Sequence, residues 1–220
     1  MEIPGQLSVE INSAWVRQLW SGELTYNASV SLANCVSGLA LGVIVGSILG
    51  IMMAWSPILD AAIGPLVRMT YPIPRSALVP VMILWFGLGS TSKIAAIFSG
   101  CLLPIVVSAY NGARGVDRSL IWSARALGAT ESEILREVLF PGALADILAG
   151  ARSAIAIAFV LMVTSEFLVG GRGLGYLISF LGDAGAYPEM FGDVLTVAAI
   201  GFLADRAYQK YMTFALRWRQ

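Results

Sequence analysis

The stretch SARALGATESEILREVLFPGALADI, from Ser123 to Ile147, is polar and amphipathic, and apolar sequence lies on both sides of it. Its charged residues are Arg125, Glu131, Glu133, Arg136, Glu137 and Asp146. The chain as a whole is 57% hydrophobic and 13% charged, whereas soluble domains carry roughly 25% charged residues. We therefore expect a membrane protein in which this stretch connects two membrane-spanning segments.

Apolar runs along the chain predict about five membrane-spanning helices, because one span needs about 20 mostly apolar residues. The predicted spans are 27–55, 76–92, 94–113, 147–171 and 190–211. The prediction is an all-α polytopic membrane protein. Its N-terminal extracytoplasmic or interfacial segment is 1–25, its transmembrane domain is 26–220, and its cytoplasmic loop is 114–146.

The first predicted span carries a glycine at every fourth position, which places small residues on one face of a helix. These glycines are Gly38, Gly42, Gly46 and Gly50. The spacing predicts a close helix–helix contact, either within one subunit or between subunits. Cys35 and Cys101 lie in apolar runs without metal-ligand spacing, so we expect both to be small buried apolar residues.

Basic residues predict the orientation in the membrane, since loops on the cytoplasmic side are enriched in Lys and Arg. With the N-terminus outside and the C-terminus in the cytoplasm, three basic residues fall on the outer side, namely Arg17, Lys93 and Arg172. Those on the inner side are Arg68, Arg75, Arg114, Arg118, Arg125, Arg136, Arg206, Lys210, Arg217 and Arg219. The opposite orientation would reverse this imbalance.

The sequence lacks the residues that several classes of function require. The chain has no His, which removes imidazole catalysis and His-ligated zinc, and no basic block that indicates nucleic-acid binding. It has no GxxxxGK[ST] phosphate-binding loop. We expect no catalytic residue, metal or cofactor site in this chain, and we interpret the glycine-rich segment 171–175 as the outer exit of the fourth span.

The opening stretch predicts two short helices joined at Gly128. The first has a proposed apolar stripe of Leu120, Ile121, Ala124 and Leu127. Thr130 with Glu133 forms a capping-box pattern for the second helix, and Pro141 is predicted to end it. The second stripe is Ile134, Leu135, Val138 and Leu139. The residues alone leave two interpretations open, a docking surface for a partner and a pair of helices lying on the membrane.

Ordered motifs from about residue 26 to the C-terminus resemble the permease subunits of ABC importers. The residues that match their cytoplasmic signature are Trp122-Ser123-Ala124, Gly128 and the sequence Val-Leu-Phe-Pro, which finishes at Pro141. The other motifs are PIPRSALVPVMILWFGLGSTSKIA, RALGAT and EFLVGGRGLGYLI. Together they are most similar to the nitrate/sulfonate/taurine (bicarbonate) branch. The chain departs from the signature where Trp122 replaces Glu and Ser123 replaces the first Ala.

The resemblance implies a subunit of an ATP-driven importer in the bacterial inner membrane. It implies a second permease copy or paralogue, a pair of ATPase subunits that hold ATP and Mg, and an extracytoplasmic solute-binding protein. The cargo would be a small solute such as a sulfonate, taurine, nitrate or bicarbonate. The implied ATPase-coupling residues are Ser119, Leu120, Trp122, Ser123, Ala124, Arg125, Leu127, Gly128, Ala129, Thr130 and Pro141.

Polarity and depth suggest further candidates along the expected path. The translocation-path candidates are Trp85, Ser99, Ser108 and Thr164, for which buried packing is the alternative role. Glu166 is an acid near the outer end of a span, and with Gly173 and Gly175 it is the candidate outer gate. Arg152 is expected to extend to the interface or to pair with Asp146. Segment 71–74 is expected to turn or re-enter at the inner face, because of its two prolines.

Two other functional classes remain as alternatives. A stand-alone ion-coupled carrier or channel would need paired intramembrane acids or inverted repeats, and the sequence shows one such acid and no repeat. An intramembrane enzyme would need a nucleophile and a base, and the Ser–His and metalloprotease arrangements are missing. Co-purification of an ATPase distinguishes the importer from both.

Overall fold

The computed structural model describes residues 22–217 together with Ser13, Trp15, Arg17, Gln18 and Trp20, and this part of the chain contains helices and no strand. Most of the predicted segment 1–25 lies outside the described residues. The helices are α1 (Glu23–Trp55), α2 (Pro57–Thr70), α3 (Leu78–Phe86), α4 (Ser90–Arg114), α5 (Arg118–Ala126), α6 (Glu131–Ile134), α7 (Phe140–Val169), α8 (Leu174–Asp183) and α9 (Tyr187–Ala215). A 3₁₀ turn, Arg75–Ala77, precedes α3, and a π-helical turn, Leu135–Leu139, joins α6 to α7.

Long helices occupy four of the predicted spans. Within the described part of the chain, three helical segments are long and apolar enough to cross a membrane: Glu23–Trp55, Ser90–Arg114 and Glu131–Val169. The helix at the fifth predicted span, α9, has 29 residues, which gives it a length of about 44 Å. We call one end of the bundle, at the start of α4, the Lys93 end. The opposite end, where α4 finishes and α5 follows, is the α5–α6 end.

The second predicted span, 76–92, is not a continuous helix, and that prediction is wrong. The second crossing instead starts at Pro57 with α2, breaks at residues 71–77, and continues as the nine-residue α3. Pro72 and Pro74 cannot donate backbone hydrogen bonds, which explains the break. Gly87, at φ +75°, ends α3 before α4 begins.

The glycine face of α1 packs on α4, so the contact predicted from the glycine spacing lies within one chain. A Cβ atom added to Gly38 would lie 2.7 Å from Ile97 Cβ, and one added to Gly46 would lie 2.9 Å from Ile105 Cγ2. From one contact to the next, the residue numbers rise together along α1 and α4, so the two helices are parallel. Cys35 and Cys101 are buried free thiols in the core between them, as predicted.

We predict that Gly50→Ala destabilises the bundle. The added methyl carbon would lie 2.6 Å from Ala109 Cβ and 2.5 Å from Val106 O, and overpacking of this kind costs about 1–3 kcal/mol. Gly201→Ala is the matched control, because its Cβ would meet nothing closer than 3.7 Å. Thermal unfolding of both variants in detergent measures the difference, and equal midpoints would contradict this packing.

Antiparallel contacts complete the bundle around α7. Tyr208 of α9 donates its hydroxyl to the carbonyl of Leu148, 3.0 Å away. Arg152 forms an ion pair with Asp205 at 3.0 Å, so its expected pairing with Asp146 is wrong. Asp146 instead lies against Gly112 in the contact between α7 and α4, which the sequence separation could not indicate.

Candidate functional site in the α5–α6 loop and the clamp at the Lys93 end

Helix α5 begins with a side-chain cap. Asp117 accepts a hydrogen bond from the backbone N–H of Ser119 at 2.9 Å, which satisfies one of the free donors of the first turn. The same hydrogen bond holds the pKa of Asp117 below its usual value, so the carboxylate keeps its charge at neutral pH. The start of the helix is thereby fixed at residue 118.

Gly128 ends α5, as predicted, in a left-handed conformation with φ +89°. Its N–H donates to the carbonyl of Arg125, and the N–H of Ala129 donates to the carbonyl of Ala124, both at 3.0 Å. This pair of bonds is a Schellman motif, in which a glycine without a Cβ adopts the left-handed conformation at low cost.

The second helix begins with the predicted capping box. Thr130 Oγ1 accepts from the N–H of Glu133 at 3.4 Å, and Glu133 Oε2 accepts from the N–H of Thr130 at 2.7 Å. Arg125 crosses the corner between the helices and donates two hydrogen bonds to the carboxylate of Glu131, both at 3.0 Å. Its guanidinium also lies 5.5 Å from the ring centre of Trp55 at the end of α1. The corner is therefore tied to the bundle.

One face of the loop packs into the α5–α6 end of the bundle. The buried cluster there is Ile51, Ala109, Ala113, Ile134, Leu139, Ala143 and Ile147, against which Trp55, Ile121, Ala124, Ala129, Leu135 and Val138 pack. The stripe predicted for the second helix is confirmed. The stripe predicted for the first is half wrong, because Ile121 and Ala124 face the cluster whereas Leu120 and Leu127 face away from it.

The outward surface of the loop carries large exposed apolar side chains among polar ones. Leu120 is 56% exposed, Trp122 is 63% exposed and Leu127 is 88% exposed. The remaining candidate coupling residues that are exposed in the same segment are Ser119, Ser123, Arg125, Gly128 and Thr130. Such a face on a helix that is fixed at both ends is suited to bind a partner.

Pro141 does not end a helix, and the prediction that it does is wrong. It lies in the first turn of α7, where a missing N–H costs little. The π-helical turn Leu135–Leu139 precedes it, so helical backbone runs from Glu131 to Val169. A π turn widens the helix locally, which accommodates the proline ring without a break.

At the Lys93 end, the structure brings the three candidate gate residues together. Glu166 is fully buried, and its Oε2 accepts from Ser31 Oγ at 2.8 Å and from the N–H of Gly175 at 2.9 Å. The N–H of Gly173 donates to Asn27 Oδ1 at 2.8 Å. A Cβ at residue 173 would collide with the Glu166 carboxyl group, so this position requires glycine.

Two basic side chains also hold the same turn. Lys93 Nζ donates to the carbonyls of Gly170 and Arg172, at 3.1 and 2.7 Å. Arg172 donates to the Tyr26 hydroxyl at 2.6 Å and lies over its ring. We call the turn 170–175 with these contacts the glycine clamp. It ties α1, α4, α7 and α8 together, so separation of these helices at this end requires several hydrogen bonds to break.

The candidate path residues are not gathered into one site. Ser99 and Thr164 donate their hydroxyls to the carbonyls of Ala96 and Val160 in their own helices. Ser108 packs on Gly150 in the contact between α4 and α7. Trp85 is 72% exposed on α3. Their role in transport stays a prediction.

Sequence reasoning missed the partners that hold the clamp. Asn27 and Ser31 lie more than 130 residues before the groups they contact, and nothing local marks them. Their polar side chains near the start of an apolar helix were the available signal. Each buried polar group in such a helix needs a partner.

Helices that are long and apolar enough to cross a membrane, with exposed apolar side chains on a loop at one end, are typical of a polytopic membrane protein. Residues 42–210 match the family described as "Binding-protein-dependent transport system inner membrane component". The chain belongs to this family, and it is therefore an ABC transporter permease component.

The relatives of this chain are named for different transported solutes. It is 32% identical to the taurine transport system permease protein of Escherichia coli (strain K12), over 86% of this chain and 70% of the relative. It is 31% identical to a protein named for aliphatic sulfonates transport in Bacillus subtilis (strain 168), over 90% and 72%. It is 30% identical to the formylaminopyrimidine transport permease protein of Halalkalibacterium halodurans, over 86% and 76%.

Solved structures support the fold. An inward-facing form of the MetNI methionine ABC transporter superposes with a TM-score of 0.69 at 21% identity, covering 84% of this chain and 93% of that one. A crystal structure of an amino acid ABC transporter with histidines gives 0.68 at 17% identity, covering 99% of both chains.

Proposed function

We propose that this chain is the transmembrane permease of an ATP-driven importer and that its α5–α6 loop receives the movement of an ATPase subunit. The observation that carries the proposal is the exposure of Leu120, Trp122 and Leu127 on α5, a helix that is capped at both ends and packed on the bundle. ATP and Mg are expected on the partner ATPase, since this chain has no phosphate-binding loop. Trp122 supplies contact area where the signature Glu is absent.

The packing explains how a push on the loop reaches the membrane. The inner face of α5 contacts residues from α1, α4 and α7, and the Arg125–Glu131 pair joins α5 to α6. A shift of α5 therefore moves the ends of these helices together. ATP binding favours the closed ATPase pair, and this preference becomes a shift between inward-open and outward-open permease populations.

The proposed orientation places the α5–α6 end in the cytoplasm and the glycine clamp outside. The charge imbalance supports it. The five crossings, in which α2 and α3 form one broken crossing, put the two termini on opposite sides, as this orientation requires. In this orientation the glycine clamp is at the face that a solute-binding protein would approach. A second permease copy or paralogue would complete the path.

The proposed cargo is a small solute with an anionic group. Two of the relatives named above are associated with taurine and with aliphatic sulfonates, and both cargo classes carry a sulfonate group. The formylaminopyrimidine relative shows that the family also has members named for other cargo.

Affinity purification of the tagged chain from its native membrane tests the proposal. We expect an ATPase subunit at about one-to-one stoichiometry with the permease. A chain that is isolated alone and moves solute without ATP would contradict the proposal and favour a stand-alone carrier.

A further inference from the structure

The broken crossing places a charged residue at mid-height of the bundle. Helix α2 follows α4 from the α5–α6 end, where Asp60 accepts from the Tyr110 hydroxyl at 2.9 Å. Further along, Val67 and Val106 line one small cavity. The chain then reaches the break at 71–77, so this break lies at mid-height on the surface of the bundle and not in an inner loop.

The contacts of Arg75 on α7 give its depth. Arg75 and Ile157 line a common cavity, and Ile157 lies about 18 Å from Val169 and about 26 Å from Phe140 at 1.5 Å per residue. Since α7 crosses the membrane, this cavity is near the bilayer centre. The charge count placed Arg75 in an inner loop, and the structure corrects that placement.

Arg75 has no carboxylate partner in the part of the chain that the structure describes. The ion pairs found there are Arg114–Asp60, Arg125–Glu131 and Arg152–Asp205. A charged side chain at this depth is costly, and such residues almost always face a water-filled cavity or a partner. The half-buried Arg75 faces a cavity, so the missing negative charge is expected to come from a ligand.

The cavity has the size and lining for a small organic anion. Its volume is about 470 Å³, within the usual range of ligand pockets. Tyr71, Arg75 and Ser76 provide polar groups on the break. The apolar lining is Ile73, Ala156, Ile157, Val160 and Leu161. A guanidinium group donates two parallel hydrogen bonds to a carboxylate or sulfonate, and the apolar wall suits a short carbon chain.

We propose that Arg75 at the broken crossing is an anion-binding residue of the translocation path and takes the sulfonate or carboxylate group of the cargo. Ser76 and Tyr71 line the same cavity, and their hydroxyls can donate to the remaining oxygens. This inference rests on the proposed transport function, because an anion reaches the middle of the membrane only while it is being transported. It names a site that none of the four candidate path residues occupies.

The test uses thiol labelling of the permease purified with its ATPase. Cys35 and Cys101 are buried, so a cysteine introduced by Ser76→Cys is the intended reactive position. The probes are 2-sulfonatoethyl methanethiosulfonate, which is itself a small sulfonate, and its trimethylammonium counterpart. An unpaired cation raises the local anion concentration. We therefore expect the ratio of the anionic to the cationic labelling rate at residue 76 to be at least about tenfold higher than the same ratio for a free thiol.

Two further variants make the result specific to Arg75. Adding Arg75→Gln should remove the preference for the anionic reagent, and Arg75→Lys should keep most of it. Ethanesulfonate should slow labelling when Arg75 is present. A Ser76→Cys thiol that reacts with neither reagent, or a preference that survives Arg75→Gln, would overturn the assignment.

The labelling result is separable from the proposed function. If the ATPase co-purifies and the labelling shows no charge preference, the importer stands and the Arg75 site is wrong. If no ATPase co-purifies, the importer proposal fails, whereas the labelling still reports whether the cavity binds anions.

Discussion

Trp122→Ala is expected to release the ATPase subunit from the permease. Trp122 is 63% exposed on the outward surface of α5, and it stands where the family signature has an acidic residue. Aromatic residues at the centre of an interface commonly contribute 2 kcal/mol or more, which corresponds to about 30-fold in affinity. Quantitative co-purification from membranes measures the loss.

Trp20→Ala is the matched control for this variant. Trp20 is 87% exposed and belongs to the N-terminal segment before α1, which starts at the opposite end of the bundle. We expect wild-type ATPase recovery with Trp20→Ala and normal folding of both variants, because neither ring is in a buried cluster. Equal ATPase recovery from the two variants would show that α5 does not dock the partner.

Glu166→Ala is expected to open the glycine clamp. The substitution removes the acceptor for Ser31 and for the N–H of Gly175, and each orphaned buried donor costs about 1–3 kcal/mol. Hydrogen exchange at residues 173–175 should accelerate by at least about tenfold, since 1.4 kcal/mol is a factor of ten. The thermal midpoint in detergent should fall as well.

Two variants show whether this effect is specific. Glu166→Gln keeps one acceptor oxygen and should retain most of the protection. Asp183→Ala removes an exposed acid of α8 and should leave exchange at 173–175 unchanged. Wild-type exchange in Glu166→Ala would mean that Asn27, Ser31 and Lys93 hold the turn without the carboxyl group.

Features set by a few neighbouring residues could be predicted from the sequence. The capping box needs only Thr130 and Glu133, and the end of α5 needs only a glycine that tolerates positive φ. The regular glycine spacing of α1 likewise predicted a close packing face, although not its partner α4. These patterns act within one or two helical turns, where sequence distance and spatial distance agree.

Features set by distant partners could not be predicted. The charges of Asp60 and Arg68 hid α2 between two predicted spans. The sequence could not show that Tyr110 donates a hydrogen bond to Asp60 and that Arg114 forms an ion pair with it. Arg152 meets an acid 53 residues away, whereas the nearby Asp146 packs elsewhere. The outward face of α5 was misjudged because a nine-residue helix with apolar groups on several sides has no unique buried face until the bundle selects one.

Site-specific photocross-linking shows directly whether the α5–α6 loop docks an ATPase subunit. The native thiols are buried, so Leu127→Cys and Trp20→Cys provide single reactive positions at the α5–α6 loop and in the N-terminal segment. Each variant would be labelled with benzophenone maleimide in native membranes and irradiated, and the adducts identified by mass spectrometry. We expect residue 127 to cross-link to an ABC ATPase subunit and residue 20 not to do so. An ATPase adduct at residue 20 without one at residue 127 would contradict this expectation.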